Sequence, residues 1–454
     1  MMLATKRTVY LCSSCGTDFP KWFGQCPNCR EWGTLGEFQI SRTKKSKRSQ
    51  QPVRDTKSLS TVMNSETEVR ILTGINEADR VLGGGLLRGT LLLLGGNPGI
   101  GKSTLALQMI GGIDVNTTLY VSGEESHSQI AIRAKRLKIN SDNLNLSTEN
   151  SVENIVEQIQ KEKPAFLVID SIQTVYSDVL DSLPGSIGQI RECGQQFLQI
   201  CKRENISIIL IGHVTKEGVI AGPKMLEHLV DTVLYLEGDE RYDHRILRSV
   251  KNRFGTTNEV GIFQMRSTGL VEVSNPSELF LSERSIDAAG SSIYPSVEGT
   301  RPILIEVQAL VSKASFGTPQ RNVNGYDIRR LSMLLAVLEK RLKMPMGMND
   351  TFVNLVGGMK IDDPAADLAV ISSIASSVKN EPINPGIVLV GEVGLAGEVR
   401  SVSNLGKRLA EAQALGFKTA ITPRIRDKGS GKLLKGLKFK EIRTVKEAFA
   451  ILFN

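Results

Sequence analysis

The stretch LLLLGGNPGIGKST, residues 91–104, decides how the chain is read. Leu91 to Leu94 is apolar at every position, which suits a short parallel strand buried on both faces. Gly96, Asn97, Pro98, Gly99, Ile100, Gly101, Lys102 and Ser103 follow in the spacing G-x4-G-K-S, and an apolar helical pattern runs on through Thr104. Glycines let successive N–H groups turn toward phosphate oxygens with no Cβ in the way, and a helix N-terminus adds partial positive charge. In such a P-loop Lys102 is the cation for the β- and γ-phosphates and Ser103 a ligand of Mg2+, so ATP and Mg2+ are the expected cofactors.

Outward from this loop, strand signals recur at Thr118–Ser122, Ala165–Asp170, Ile206–Ile211, Thr232–Leu236 and Gly261–Met265, with helix-like segments between several of them. That is an α/β pattern with a parallel sheet. FLVID ends on Asp170, the carboxylate expected to hold hydrated Mg2+. YVSGEES puts Glu124 and Glu125 at the edge of a neighbouring strand, where either suits activation of water. His213, just past the strand Ile206–Ile211, is a candidate sensor of the γ-phosphate, beside the plainer reading of a hydrogen-bonded structural histidine. In KNRFG, Lys251 and Arg253 stand on a short connection after the strand RILRSV, from which two cations can reach across a subunit boundary to the next ATP.

The chain is 454 residues long, enough for two to four folded units. With 41% hydrophobic and 23% charged residues, wholesale disorder and collagen-like structure are excluded. No apolar run approaches the roughly 18 residues that cross a bilayer, and MMLATKRTVYLCSSCG lacks the apolar centre of a signal peptide, so the expected compartment is the cytoplasm, without a membrane partner.

Net charge is +8, and residues 1–66 hold eleven Lys or Arg against five Asp or Glu. Much of that excess is Arg42, Lys44, Lys45, Lys47 and Arg48, in a polar stretch that reads as a flexible tether, with contact to nucleic-acid phosphates as the alternative. Ahead of it, Cys12-x2-Cys15 and Cys26-x2-Cys29 form two knuckles of a four-cysteine zinc site, because paired thiolates suit tetrahedral Zn2+ and a reducing compartment disfavours disulfides. About 40 residues hold too little apolar material to fold unaided, so metal supplies much of the folding free energy. Trp22 and Trp32 flank the second knuckle; they read as a cover for the metal core, with base stacking as the alternative. Cys193 and Cys201, in a predicted helix, read as buried apolar residues rather than ligands.

From about residue 280 the texture becomes that of a separate α+β domain. DIRRLSMLLAVLEKRLK carries Ile328, Leu331, Leu335, Leu338 and Leu342 along one helical face; AADLAVISSIASSV and LGKRLAEAQAL are further helix signals, and ILIEVQALV, FVNLVGG and GIVLVGEV are strand candidates. The expected domains are a zinc finger over 1–40, a basic linker over 41–66, an ATPase domain over 67–275 and the α+β domain over 276–454.

The order of four-cysteine finger, GGNPGIGKST, LVIDSIQT, KNRFG and the last domain resembles the bacterial RadA (Sms) family of RecA-like DNA repair and recombination ATPases, over essentially the whole chain. The resemblance implies a RecA-like core and an ATP-driven motor of helicase or branch-migration type, acting on single-stranded and branched DNA as a homo-hexamer beside a recombinase of the RecA type. The core also resembles DnaB-type replicative helicases, which selects Glu124 as the water-activating residue and Lys251 and Arg253 as the finger. It makes Lys216 and Lys224, in segments like RecA-type DNA-binding loops, candidate phosphate contacts. The last domain resembles the proteolytic domain of Lon, whose Ser-Lys dyad positions fall on Ala365 and Gly406, with Lys407 adjacent. A methyl group is no nucleophile, so a scaffold is expected there. An ATPase switch acting on proteins and an ATP-dependent protease are the rival readings.

Overall fold

The structure is a computed structural model, and it describes residues 6–12, 17–28, 30–41, 58, 60, 70–113, 117–139, 142–213, 223–238, 243–257, 259–282, 284–314, 317–424 and 436–453. The chain divides into two compact units, Met1–Glu272 and Val273–Asn454.

The first unit begins with a ribbon of β1 (Lys6–Cys12), β2 (Asp18–Phe19) and β3 (Leu35–Ser41), antiparallel with β1 central. Its small core is Cys12, Cys26 and Leu35, with Tyr10, Phe19 and Phe23 packed against them. Cys12 N–H donates to the Thr17 carbonyl, and the Cys26 carbonyl accepts from Arg30 N–H. Two buried thiols in a core this small fit a metal-held ribbon. Cys15 and Cys29 lie outside the described residues, as does the basic run from Arg42 to Arg48. The cover expected from the tryptophans is not there, since Trp22 is 58% and Trp32 74% exposed. The edge-to-face pair of Phe19 and Phe23 packs on the core in their place.

After a short antiparallel pair of β4 (Arg70–Ile71) and β5 (Leu86–Leu87), with the helix Asn76–Leu82 between them in the chain, comes a nine-stranded sheet. Its strands are β6 (Leu91–Gly96), β7 (Thr118–Ser122), β8 (Leu144–Ser147), β9 (Phe166–Asp170), β10 (Ser207–His213), β11 (Thr232–Glu237), β12 (His244–Asn252), β13 (Val260–Arg266) and β14 (Gly269–Glu272). The order is β14-β13-β12-β11-β6-β10-β9-β7-β8. Strands β6 to β11 pair in parallel, and β12 to β14 extend the sheet antiparallel. Side chains alternate across a strand, and β6 divides accordingly between two cores. Leu92 and Leu94 meet Leu105 and Met109 of the helix Lys102–Gly112 and Ile130 of the helix His127–Arg136. Leu91 and Leu93 meet Ile155 and Ile159 of the helix Val152–Glu162 and Ile190 and Phe197 of the helix Ile187–Glu204. Each such side chain contributes about 1.5–3 kcal/mol when fully buried, which is why this strand is apolar without alternation. Cys193 and Cys201 belong to the second of these cores, and burial pushes each thiol up to about 12.

The second unit is built on a seven-stranded sheet of β15 (Ser291–Glu298), β16 (Arg301–Lys313), β17 (Arg321–Asn324), β18 (Asn349–Leu355), β19 (Ile387–Leu389), β22 (Thr419–Pro423) and β23 (Lys438–Ile442), with a small pair of β20 (Glu392–Val393) and β21 (Val399–Arg400). The helix Asp367–Lys379 is buried at every position from Asp367 to Ser376. In the helix Ile328–Leu342 the buried side is Leu331, Leu334, Leu335, Val337 and Leu338. The predicted face therefore holds at its centre and not at its ends, where Ile328 is 40% exposed and Leu342 only half-buried.

Candidate active site

Parallel strands bring their carboxyl ends to one edge, and the predicted chemistry gathers there. The P-loop leaves β6 at Gly96, whose register partner on β10 is His213; Asp170 closes β9 and pairs with Ser122 at the end of β7. Strand β10 thus stands between the P-loop strand and the strand of Asp170. Gly96 has φ +152°, and a Cβ there would come within 2.5 Å of the Leu236 carbonyl oxygen, so the loop needs glycine at that exit. Gly101, at φ 112°, caps the helix Lys102–Gly112, which carries Lys102, Ser103 and Thr104 in its first turn. Asn97, Pro98 and Gly99 are exposed at the rim and Ile100 is buried beneath.

Lys102 is buried, and its Nζ donates to the carbonyls of Gly96 and Asn97, both at 2.9 Å. Burial pushes the ammonium down to about 8, against Asp170 and Glu124, which favour its charged form. Asp170 Oδ2 accepts from the Tyr120 hydroxyl at 2.5 Å, while Oδ1 is buried with no protein partner. An unpaired buried carboxylate oxygen beside a buried lysine fits a site that takes hydrated Mg2+ and phosphate.

The two glutamates are held differently. Glu125 Oε1 is paired with Arg133, while its Oε2 is buried without a partner. Glu124 Oε1 accepts from the Ser171 hydroxyl at 2.6 Å and lies 3.2 Å from His213 Nε2. Burial raises the Glu124 carboxyl, but its hydrogen bonds with Ser171 and His213 and the charges of His213 and Lys102 hold it below its ordinary range. Glu124 is therefore an ionised acceptor facing the P-loop lysine, and the His213 contact lies at the same edge.

The finger residues lie elsewhere. Lys251 and Asn252 are the last residues of β12 rather than part of a turn, because the ladder with β11 continues to the pairs Lys251–Val233 and Asn252–Thr232. Lys251 Nζ donates to the carbonyls of Glu227 at 2.6 Å and Val230 at 2.8 Å, and burial together with the Arg253 charge pushes its pKa down. The Arg253 guanidinium is 3.5 Å from Asp231 Oδ1 and more than half exposed. Asn252 is level with Thr232 and hence with Leu92, at the opposite end of β6 from Gly96. That is roughly 13 Å of strand, at about 3.3 Å per residue, before the P-loop begins. Lys216 lies outside the described residues; Lys224 falls in the helix Pro223–Leu226, and its side chain is likewise outside them.

Sequence reasoning did not find Tyr120, Ser171, Arg133 or Asp231. Ser171 had a signal, since it directly follows the metal-site aspartate; Tyr120 reads as one more apolar strand residue.

In the second unit, Ala365 is buried in the turn Pro364–Ala366, with its N–H donating to Asp363 Oδ1. Gly406 is the second residue of the helix Leu405–Ala414, and Lys407 is exposed. The cation that turns inward is Arg408, which is buried and bonded to Asp363, to the Tyr294 hydroxyl and to the Pro295 carbonyl. A guanidinium stays protonated and serves no dyad as base.

Fold and site together define a RecA-like P-loop ATPase joined to a zinc ribbon and a Lon-like domain that lacks the protease dyad. The family described as AAA domain matches residues 60–219, the rubredoxin metal binding domain residues 10–37, and the Lon protease (S16) C-terminal proteolytic domain residues 348–453. The chain is 50% identical over 428 residues to the DNA repair protein RadA of Bacillus subtilis, covering 93% of each chain. It is 48% identical to that of Halalkalibacterium halodurans, covering 93% of each, and 46% identical to that of Listeria monocytogenes, covering 99% of this chain and 98% of the other. The chain belongs to the RadA family of DNA repair proteins. It is an ATPase whose cofactors are ATP, Mg2+ and Zn2+. No described helix is long and apolar enough to cross a membrane.

Proposed function

We propose that the chain is a DNA-dependent motor, assembled as a hexameric ring on single-stranded DNA, that drives unwinding or branch migration in recombinational repair. It acts in the cytoplasm on single-stranded and branched DNA beside a recombinase of the RecA type. Lys102 leaves its two main-chain carbonyls for the β- and γ-phosphates, and the N–H groups of residues 96–104 cradle them. Ser103 and Asp170 would hold Mg2+, which when bound would neutralise charge on the phosphate oxygens, and the Tyr120 hydroxyl fixes one Asp170 oxygen. Glu124, ionised and steadied by Ser171, orients the attacking water, and His213 passes the state of that contact to the chain that follows β10. Lys216 and Lys224 in that chain contact DNA phosphates, while Cys12, Cys15, Cys26 and Cys29 hold the zinc. The second unit serves as a scaffold for the ring.

One observation carries the ring. Lys251 and Arg253 stand at the far end of the sheet from their own P-loop. Positive charge is useful where γ-phosphate charge redistributes, so these cations serve a neighbouring subunit's ATP. The test mixes two inactive chains. Lys102→Ala keeps an intact finger and Arg253→Ala keeps an intact P-loop, so mixed rings regain complete sites at some interfaces and part of the DNA-stimulated hydrolysis returns. If mixed rings form and no activity returns at any ratio, the finger does not act between subunits.

A further inference from the structure

The two tryptophans are the only ones in the chain, and both stand out of the ribbon core. Trp32 is anchored through its backbone and Trp22 through its indole. Trp32 bridges antiparallel to Gln25, and Gly33 N–H donates to the Gly24 carbonyl. The Trp22 indole is oriented by its Nε1–H, which donates to the Leu35 carbonyl at 3.2 Å. A side-chain carbon on Gly24 would lie 3.6 Å from Trp22 Cη2 and 3.6 Å from Trp32 Cζ3, so the near edges of the indoles come within about 7 Å of each other across a residue with no side chain.

Their surroundings narrow the partner. Among the ribbon residues whose side chains the structure describes they are the only exposed large hydrophobics, so none of those residues adds an aliphatic patch of the kind that protein docking uses. Exposed Lys21 and Arg30 lie beside them in sequence, with Glu31 the one acidic neighbour. The sequence carries on into Arg42, Lys44, Lys45, Lys47 and Arg48. Fixed aromatic faces amid cations are the means by which sequence-tolerant proteins hold unpaired nucleic acid, since every base has a π-face and every phosphate a charge.

We propose that Trp22 and Trp32 form a base-stacking site for single-stranded DNA on the zinc ribbon, in addition to the candidate phosphate contacts Lys216 and Lys224. It rests on the reading that the chain acts on single-stranded DNA. Because the chain has no other tryptophan, its intrinsic indole emission reports this site alone. The experiment titrates the full-length zinc-loaded protein, without nucleotide, with a short oligothymidylate and with an abasic oligomer of equal length, following indole emission and, separately, the anisotropy of labelled oligomer. Saturable quenching by the oligothymidylate and little by the abasic strand is expected. Trp32→Ala should weaken oligothymidylate binding by at least about fivefold at unchanged zinc content, the low end of one lost base stack. Trp32→Phe should keep most of it. Binding seen by anisotropy with no change in indole emission overturns the proposal while leaving the DNA reading intact. No binding by either signal overturns both. Equal quenching by both strands, or unchanged affinity in zinc-loaded Trp32→Ala, shows that the indoles do not stack on bases.

Discussion

Two clusters of buried charge, one at the carboxyl edge of the ATPase sheet and one beside Ala365, differ in how far they satisfy themselves. In the first, Lys102 is held only by main-chain carbonyls, Asp170 Oδ1 has no protein partner, and neither does His213 Nδ1. In the second, Asp363 is shared by Arg408, Tyr294 and the Ala365 N–H. Nearby, Asp367 is closed in the same way by Arg330, Tyr326 and the Val393 N–H. Buried polar groups are costly unless paired, so a cluster that keeps orphans is built for a ligand, and one that pairs them all has become structure. Beside it, Ala365 offers only a buried methyl group.

Substitutions should break the two clusters in opposite ways, and the largest effect belongs to the open one. Lys102→Ala and Asp170→Ala should each lower ATP turnover by at least about a hundredfold, since one removes the cation that compensates phosphate charge and the other the carboxylate that would place Mg2+, while the thermal unfolding of the chain changes little. Arg408→Ala should do the reverse. Leaving Asp363 without its buried partner costs about 3 kcal/mol of stability in the second unit, read as a lower denaturant midpoint, and no peptidase activity on casein appears or disappears. A fall in ATP turnover for Arg408→Ala in protein that is still folded and assembled would mean that the two clusters are not independent.

A smaller effect sharpens the same contrast. Burial pushes the Lys102 ammonium down to about 8, and phosphate binding favours its charged form, so ATP binding takes up a proton above that pH. The sign follows: ATP affinity is flat below about pH 8 and falls above it, by up to tenfold per unit. Nucleotide titrations from pH 7 to 9.5 check this, and affinity that holds through pH 9.5 would mean that the lysine stays charged without ligand.

Much of this was legible because the chemistry is local in sequence. The P-loop, the strand ending at Asp170 and the pair Glu124–Glu125 are each one strand with its exit, and a buried strand announces itself by an unbroken apolar run. The strands without a signal, Leu144–Ser147 and Gly269–Glu272, are the two edges of the nine-stranded sheet, where half-exposed residues blur any pattern. The distance between KNRFG and its own P-loop was hidden as well, because it depends on β12 running antiparallel to β11. The tryptophans misled for a related reason. Their size suits a core cover, but Phe19 and Phe23 had already taken that place.

The most direct test of the account is the comparison of Glu124→Gln with Glu125→Gln. Arg133 pairs with Glu125 Oε1, and Glu124 is bonded to Ser171 and His213, the register partner of Gly96. Glu124→Gln should therefore bind ATP with near-normal affinity and hydrolyse it about a hundredfold or more slowly in a single turnover, while Glu125→Gln stays within a few-fold of the unaltered chain. Slow turnover in Glu125→Gln with normal turnover in Glu124→Gln would contradict the assignment and, with it, the reading of which groups in the open cluster await the ligand.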